Sequence, residues 1–157
     1  MARCAIGIGS NLGDPVRQTR DAIHALEALG SVPARSSLYR SSPWGGVHQP
    51  DFVNAVALLE TRMSAQTLLR ALQAIERRFG RERNGERWGP RVIDLDLLFY
   101  DDVTMDWPFL TLPHPRLYER AFVLVPLAEI DPIYTAARDR LPRAELESVH
   151  RLELPSL

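Results

Sequence analysis

The sequence predicts an α+β fold: an antiparallel-rich sheet with helices packed on its faces. Strand-like and helix-like segments alternate without a regular βαβ rhythm. The segment 52–60, FVNAVALLE, is apolar at nearly every position, as in a strand buried on both faces at the centre of a sheet. The chain has 157 residues, the size of one domain, and residues 1–157 are read as such. A domain of this size buries about two-thirds of its unfolded surface, so a core forms without covalent staples.

Taken in order, CAIGIG (4–9) is a short buried strand whose two glycines suggest close backbone approach. SNLGDP follows as a turn. Asp14 is an N-cap and Pro15 fits the first helical position, where its missing N–H costs nothing. Val16, Ala22, Ile23, Leu26 and Leu29 then keep helical spacing up to Gly30, the expected stop. SSLYRS (36–41) resembles a strand. SPWGGVHQPD is Gly- and Pro-rich and long enough to be a functional loop. A second helix is expected from about Ser64 to Phe79, with Leu68, Leu72, Ile75 and Phe79 on its core face and Gly80 ending it. RERNGERWGPR (81–91) is a polar loop, VIDLDLLFY (92–100) a strand, and DDVTMDW a polar turn. LTLPHPRLY (110–118) bends between prolines. Residues 119–130 read as a buried helical segment broken near Pro126, and a short helix is expected at 143–150.

Composition excludes several classes. A net charge of −1 argues against a dedicated nucleic-acid binder. The single cysteine, Cys4, rules out an intrachain disulfide and reads as a small core residue. No apolar run approaches the ~20 residues of a membrane helix, and the N-terminus lacks the pattern of a signal peptide. The expectation is a cytoplasmic protein, a monomer, with no membrane and no nucleic acid among its partners.

The sharpest chemical feature is Asp94-Leu95-Asp96. On a strand, residues i and i+2 share a face, and their Cα atoms stand about 6.6 Å apart. Hard oxygen ligands so placed suit Mg²⁺, which takes one or two carboxylates and completes its shell with phosphates. Two acids on a solvated face, paired with nearby arginines, would explain the spacing equally well. Arg81, Arg83, Arg87 and Arg91 precede the pair, and guanidinium forks match phosphate geometry. Trp88, in the same loop, could cover a planar ligand. Phe52 and Asn54 form another i, i+2 pair, able to stack on and hydrogen-bond a flat heterocycle; Phe52 could also be simple core. His114, fixed between Pro113 and Pro115, could donate to a phosphate or be only a turn residue. Gln73 and Glu76 lie beside the second helix's apolar stripe, as support for the arginine loop or as solvated groups. The chain has neither a GxxxxGK[ST] loop nor a GxGxxG turn, so a nucleotide would be held by acids and arginines.

Four segments together carry a resemblance: GSNLGDP (9–15), SSPWGGVHQPDFVNAV (41–56), RFGRERNGERWGPRVIDLDLLFY (78–100) and LPHPRLYERAFVLVPLAEI (112–130). In this order they resemble 6-hydroxymethyl-7,8-dihydropterin pyrophosphokinase of folate biosynthesis, over nearly the whole chain up to Ile130. The resemblance implies a ferredoxin-like α+β fold. It also implies diphosphate transfer from ATP to 6-hydroxymethyl-7,8-dihydropterin, with two Mg²⁺ ions and AMP as the nucleotide product. By residue, it implies Asp94 and Asp96 as metal ligands. Asn54 would read the pterin's pyrimidine edge, Phe52 and Phe122 would sandwich the ring, and the 41–46 loop, with Ser41, Ser42, Pro43 and Trp44, would contact it through the backbone. Gln73 and Glu76 match contacts on the nucleotide side. Arg81, Arg91 and His114, with Arg83 beside them, match the groups that hold the phosphates, and Arg81 and Arg91 join the two aspartates as catalytic residues. Trp88 matches the aromatic that closes over the site when the arginine loop moves. Thr111 and the backbone near Leu97 and Leu110 match the adenosine pocket. Four positions depart from the family's frequent pattern: Asn84 replaces a basic residue, Phe109 an arginine, Pro115 an aromatic, and Phe52 the hydroxyl-bearing tyrosine.

Two rivals are weaker. An RNA-binding module of similar fold would use the arginine loop, but the aspartate pair would repel a phosphate backbone. A catalytically inactive pterin sensor would keep Asn54 and the aromatics but would not need both aspartates.

Overall fold

The computed structural model describes residues 1–43, 49–80 and 92–153. The main sheet has the order β5-β1-β4-β3-β8, and β2 also pairs with β4. These strands are β1 (Ala2–Ser10), β2 (Ser31–Arg35), β3 (Tyr39–Ser41), β4 (Phe52–Thr61), β5 (Asp94–Tyr100) and β8 (Val149–Arg151). Every pairing is antiparallel. A separate hairpin joins β6 (Met105–Trp107) to β7 (Leu110–Leu112). The longer helices are α1 (Pro15–Ala25), α2 (Ala65–Arg78) and α3 (Ala121–Ile130); α4 (Thr135–Asp139) and α5 (Arg143–Glu147) are short.

The alternation along β1 and β4 explains why both read as wholly apolar. Cys4, Ile6 and Ile8 of β1 and Ala55, Ala57 and Leu59 of β4 face one way, with Leu95 and Leu97 of β5. Against them pack Ala22 and Ile23 from α1, Leu26 from the 3-10 turn that follows it, and Leu68, Leu72 and Ile75 from α2, the residues that the helical spacing selects. On the other face Ala5, Val56, Leu58 and Phe99 pack against Val123 and Leu127 of α3. Cys4 is fully buried and packed as a core residue.

The helix ends follow their local chemistry. Asp14 Oδ1 accepts from Arg17 N at 3.3 Å, Pro15 opens α1, and Ser64 Oγ accepts from Thr67 N at 3.2 Å. Gly80 leaves α2 with φ +84°, a left-handed conformation that glycine adopts without steric cost.

Several sequence expectations are corrected. The strand expected at 36–41 narrows to β3 at its end, and β2, which the sequence reading does not predict, precedes it, with 36–38 between the two. Pro33 has no N–H to give the ladder, the register slips between Ser31 and Ala34, and Ser36 Oγ accepts from Val56 N at 2.9 Å where a regular ladder would continue. The polar turn after β5 contains β6, which exists because β7 pairs with it. α3 is not broken at Pro126. It runs continuously through that residue, buried on both sides between the sheet and a third apolar group formed with Leu141 and Leu146, so packing outweighs the lost backbone hydrogen bond. The expected tail helix ends at Glu147, and the chain turns into β8, which pairs with β3.

Gly30 is a packing requirement. A Cβ built there would lie 2.1 Å from the Glu60 carbonyl oxygen, a backbone atom that has no rotamer to escape into. We expect Gly30→Ala to destabilise the fold by about 1–3 kcal/mol, at the upper end of that range, in urea denaturation. A wild-type midpoint would mean that the α1–β2 connection yields without cost.

Candidate active site

The face covered by α3 divides into two parts. Around Ala5 it is filled by apolar side chains from the helix. Further along β1 stand Gly7 and Gly9, which have none. Gly9 is paired with Asp94 of β5 on one side and Asn54 of β4 on the other, and Gly7 with Asp96 and Val56. Directly paired residues share a face, so Asp94, Asp96 and Asn54 all project from the glycine part of the sheet. Asp94 and Asn54 are two strand spacings apart, roughly 10 Å. A Cβ at Gly9 would sit 3.2 Å from Asn54 Oδ1 and 3.6 Å from Phe52 Cδ1, so the glycine leaves the space between the carboxylate and the amide open.

Asp94 and Asp96 are both half-buried on one face of β5. Among the described residues no third Asp, Glu, His or Cys joins them. Leu98 lies over Gly7, 3.5 Å from where a Cβ would stand, so the opening is at Gly9; two carboxylates beside it are a donor set that fits Mg²⁺ sharing its remaining positions with phosphates. β5 is an edge strand, and two of its outward backbone groups are satisfied from outside the sheet. Glu76, 3% exposed, accepts from Leu95 N through Oε2 at 2.9 Å. It is therefore not a solvated group of α2; its carboxylate fixes the residue between the two aspartates. His114 N donates to Leu98 O at 2.8 Å further along. Gln73 is half-buried one turn before Glu76.

Asn54 is 4% exposed and Ser41 3%. Asn54 Nδ2 donates to Ser41 Oγ at 2.5 Å, which fixes the amide plane. Phe52 and Phe122 are half-buried on the same side, Phe122 at the start of α3, with the Arg120 guanidinium 5.3 Å from its ring centroid. Ser42 is exposed and Pro43 half-buried. Two groups escape sequence reasoning here. Arg120 is a buried cation just ahead of an apolar run, which is the one local signal that could have drawn attention to it. Glu129, at the far end of α3, accepts from Ser37 N, Ser37 Oγ and Tyr39 Oη, tying β3 and thereby Ser41 to the helix. Burial, reinforced by the hydrogen bond to Glu129, pushes the Tyr39 hydroxyl well above the usual tyrosine range. No sequence pattern links residues so far apart.

On the remaining side, Thr111 is half-buried on β7 opposite Asp106. Leu97 and Leu110 have their side chains in the core under α1 and α2, so they can offer a ligand only their backbone. Trp44, Arg81, Arg83, Trp88 and Arg91 lie outside the described residues.

His114 Nδ1 accepts from Arg116 N at 3.2 Å, which leaves Nε2 as the protonated, donating nitrogen of a neutral ring. Burial first, then the nearby charges of Arg120 and Arg116, push the imidazole down to about 4. Because the folded value lies below the ordinary 6.5, the stability tied to the neutral ring is complete above pH 6.5 and is lost as pH falls toward 4. NMR titration of the ligand-free protein should give a His114 midpoint near 4, and His114→Gln should flatten the acid-side loss of stability. A midpoint at or above 6.5 would show that the ring is solvated or acid-paired.

Comparison with known proteins places this geometry. The family model of 7,8-dihydro-6-hydroxymethylpterin-pyrophosphokinase (HPPK) matches residues 5–132. A 2-amino-4-hydroxy-6-hydroxymethyldihydropteridine pyrophosphokinase of Methylorubrum extorquens is 40% identical, over 98% of this chain and 100% of the relative. A protein of the same description from Pseudomonas aeruginosa is 46% identical over 83% of this chain and 81% of its own. Among solved structures, a Plasmodium falciparum HPPK-DHPS variant with pterin and p-hydroxybenzoate superposes with a TM-score of 0.75 at 13% identity, over 98% of this chain and 47% of that one. The wild-type protein with pteroate superposes with a TM-score of 0.72 over 88% and 42%. This chain thus spans less than half of those longer proteins, and at such identity they establish the shared fold alone. With the family model covering most of the chain and these relatives matching along it, the chain belongs to the 7,8-dihydro-6-hydroxymethylpterin-pyrophosphokinase family.

Proposed function

We propose that the glycine-floored sheet face is where this chain transfers diphosphate from ATP to the hydroxymethyl oxygen of 6-hydroxymethyl-7,8-dihydropterin, releasing AMP. The observation that carries the reading is the row Asp94–Gly9–Asn54 across three paired strands. It sets a metal-type carboxylate and a heterocycle-type amide on one face with an unfilled position between them.

In this reading Asn54, held by Ser41, pairs with the donors and acceptors of the pterin's pyrimidine edge, while Phe52 and Phe122 flank the ring. The backbone of the segment from Ser41 through Trp44 borders it. The hydroxymethyl arm then extends along the glycine row toward β5. Asp94 and Asp96 would hold two Mg²⁺ ions, which when bound neutralise the triphosphate and lower the pKa of the alcohol. The neutral Nε2–H of His114 donates to a phosphate oxygen, joined by Arg81, Arg83 and Arg91, while Thr111 and the backbone at Leu97 and Leu110 border the adenosine. Glu76 acts on the nucleotide side by fixing Leu95 between the aspartates, with Gln73 beside it, and Trp88 covers the bound ligands. The alcohol oxygen forms a bond to the β-phosphorus as the bond from that phosphorus to the bridging oxygen of AMP breaks. Orientation and charge complementarity carry the rate. We read residues 1–157 as one pyrophosphokinase domain and the enzyme as a monomer. No helix among the described residues is long and apolar enough to cross a membrane, and we place the enzyme in the cytoplasm.

Incubation with the dihydropterin alcohol, ATP and Mg²⁺ tests the reading. AMP should appear in equal amount to a pterin carrying two phosphates; ADP with a pterin monophosphate would overturn it. Asp94→Asn and Asp96→Asn should each abolish most turnover without lowering the melting temperature, because an amide lacks the charge that holds the metal. Asn54→Ala should weaken pterin binding by about 1–3 kcal/mol and ATP binding much less. Equal losses for both ligands in calorimetry would indicate a folding defect instead of a lost contact.

A further inference from the structure

The opposite face of the sheet has a concavity of its own. A half-open cleft of about 800 Å³ lies between α1, the break separating β2 from β3, and the end of β8. Its apolar floor is Ile23, Leu38 and Leu152, all part of or packed on the core under α1 and α2. It is separate from the aspartate site. Tyr39, next to Leu38, pairs with Asn54 and turns its hydroxyl toward Glu129 of α3, so Leu38 and Asn54 face opposite ways.

Three arginines line this floor: Arg20, Arg35 and Arg151. Arg35 is held by Glu27 at 3.0 Å. Neither Arg20 nor Arg151 has a carboxylate within ion-pair distance among the described residues. Arg20 is also half-buried. Glu153 is the one acid in the lining, so with Glu27 counted the guanidinium charge still exceeds the carboxylate charge. On a convex surface such arginines would be solvated independently. Gathered around an apolar hollow they concentrate positive potential where water is displaced most readily, and they repel one another until an anion arrives.

We infer that this cleft binds a small organic anion, with its apolar body on Ile23, Leu38 and Leu152 and its phosphate or carboxylate held by Arg20 and Arg151. The volume falls in the range of about 300–1,000 Å³ that takes small molecules. Guanidinium forks pair with either oxyanion. The inference stands whether or not the pyrophosphokinase reading holds, because no residue of the cleft belongs to that site.

The test titrates the full chain with 1-naphthyl phosphate and, separately, 1-naphthoate, which share an apolar body and differ in the oxyanion. Backbone amide resonances of Leu38, Leu152 and Asn54 are followed by NMR. Saturable shifts at Leu38 and Leu152, with a dissociation constant below about 1 mM for at least one probe and no matching shift at Asn54, are expected. The responding probe identifies the oxyanion class. Arg20→Glu with Arg151→Glu should weaken binding by about tenfold or more and leave pyrophosphokinase turnover unchanged. Should the double reversal fail to fold, Arg20→Gln and Arg151→Gln singly should each weaken binding, and added salt should weaken it in the wild type. No saturable shift with either probe, or binding indifferent to these substitutions, would overturn the inference.

Discussion

Everything at the site depends on β1 being hydrogen-bonded in register to two partners at once. Pairing with β4 and β5 sets Gly9 against both Asn54 and Asp94, and Gly7 against Asp96. A one-residue slip on either side would turn the aspartates or the amide toward α1 and α2, where no water or ligand could satisfy them. The register is held by burial on the far face, where Cys4, Ile6 and Ile8 alternate with these glycines and are packed beneath two helices. The apolar half of each strand thus aims the polar half.

Three positions around the site are fixed by a polar group brought from a different element. Glu76 reaches from α2 to the outer edge of β5, Ser41 from β3 to Asn54, and Glu129 from α3 to β3. Buried groups of this kind stabilise only when their bonds are made, so each bond pins its element in one position. His114 follows the same logic. Its backbone holds the edge of β5, its Nδ1 is occupied by Arg116, and burial beside two arginines keeps its ring neutral. A neutral ring so held offers its Nε2–H as a donor of fixed direction that carries no charge.

α3 links the two halves of this arrangement. Its apolar body covers the sheet around Ala5, its first turn carries Phe122 under Arg120, and its last turn carries Glu129. That explains why the helix tolerates Pro126. Apolar packing on both sides stabilises it more than one backbone hydrogen bond would; its first residue, Ala121, donates its N–H to Glu145 of α5, and its last turn is tied to β3 through Glu129.

The sequence by itself determined the elements whose information is local. α1 and α2 were legible because capping residues, Pro15 and the core-facing spacing all lie within one turn of what they specify. β4 was legible as central because both its faces are apolar. The sharing of a face by Asp94 and Asp96 follows from strand periodicity alone, and the four quoted segments identified the family. Only the tertiary structure decided the rest. β2, β6 and β8 are short, polar or proline-containing, and exist because β4, β7 and β3 respectively supply hydrogen-bond partners. The continuity of α3 through Pro126 depends on apolar contacts from both sides. Glu76 is a strand anchor, and not a solvated acid, because α2 lies along the edge of β5. Gly9 matters because two strands far apart in sequence meet across it. Apart from the β6–β7 hairpin, the deciding energy in these cases is a contact between residues well separated in sequence, which no local pattern encodes.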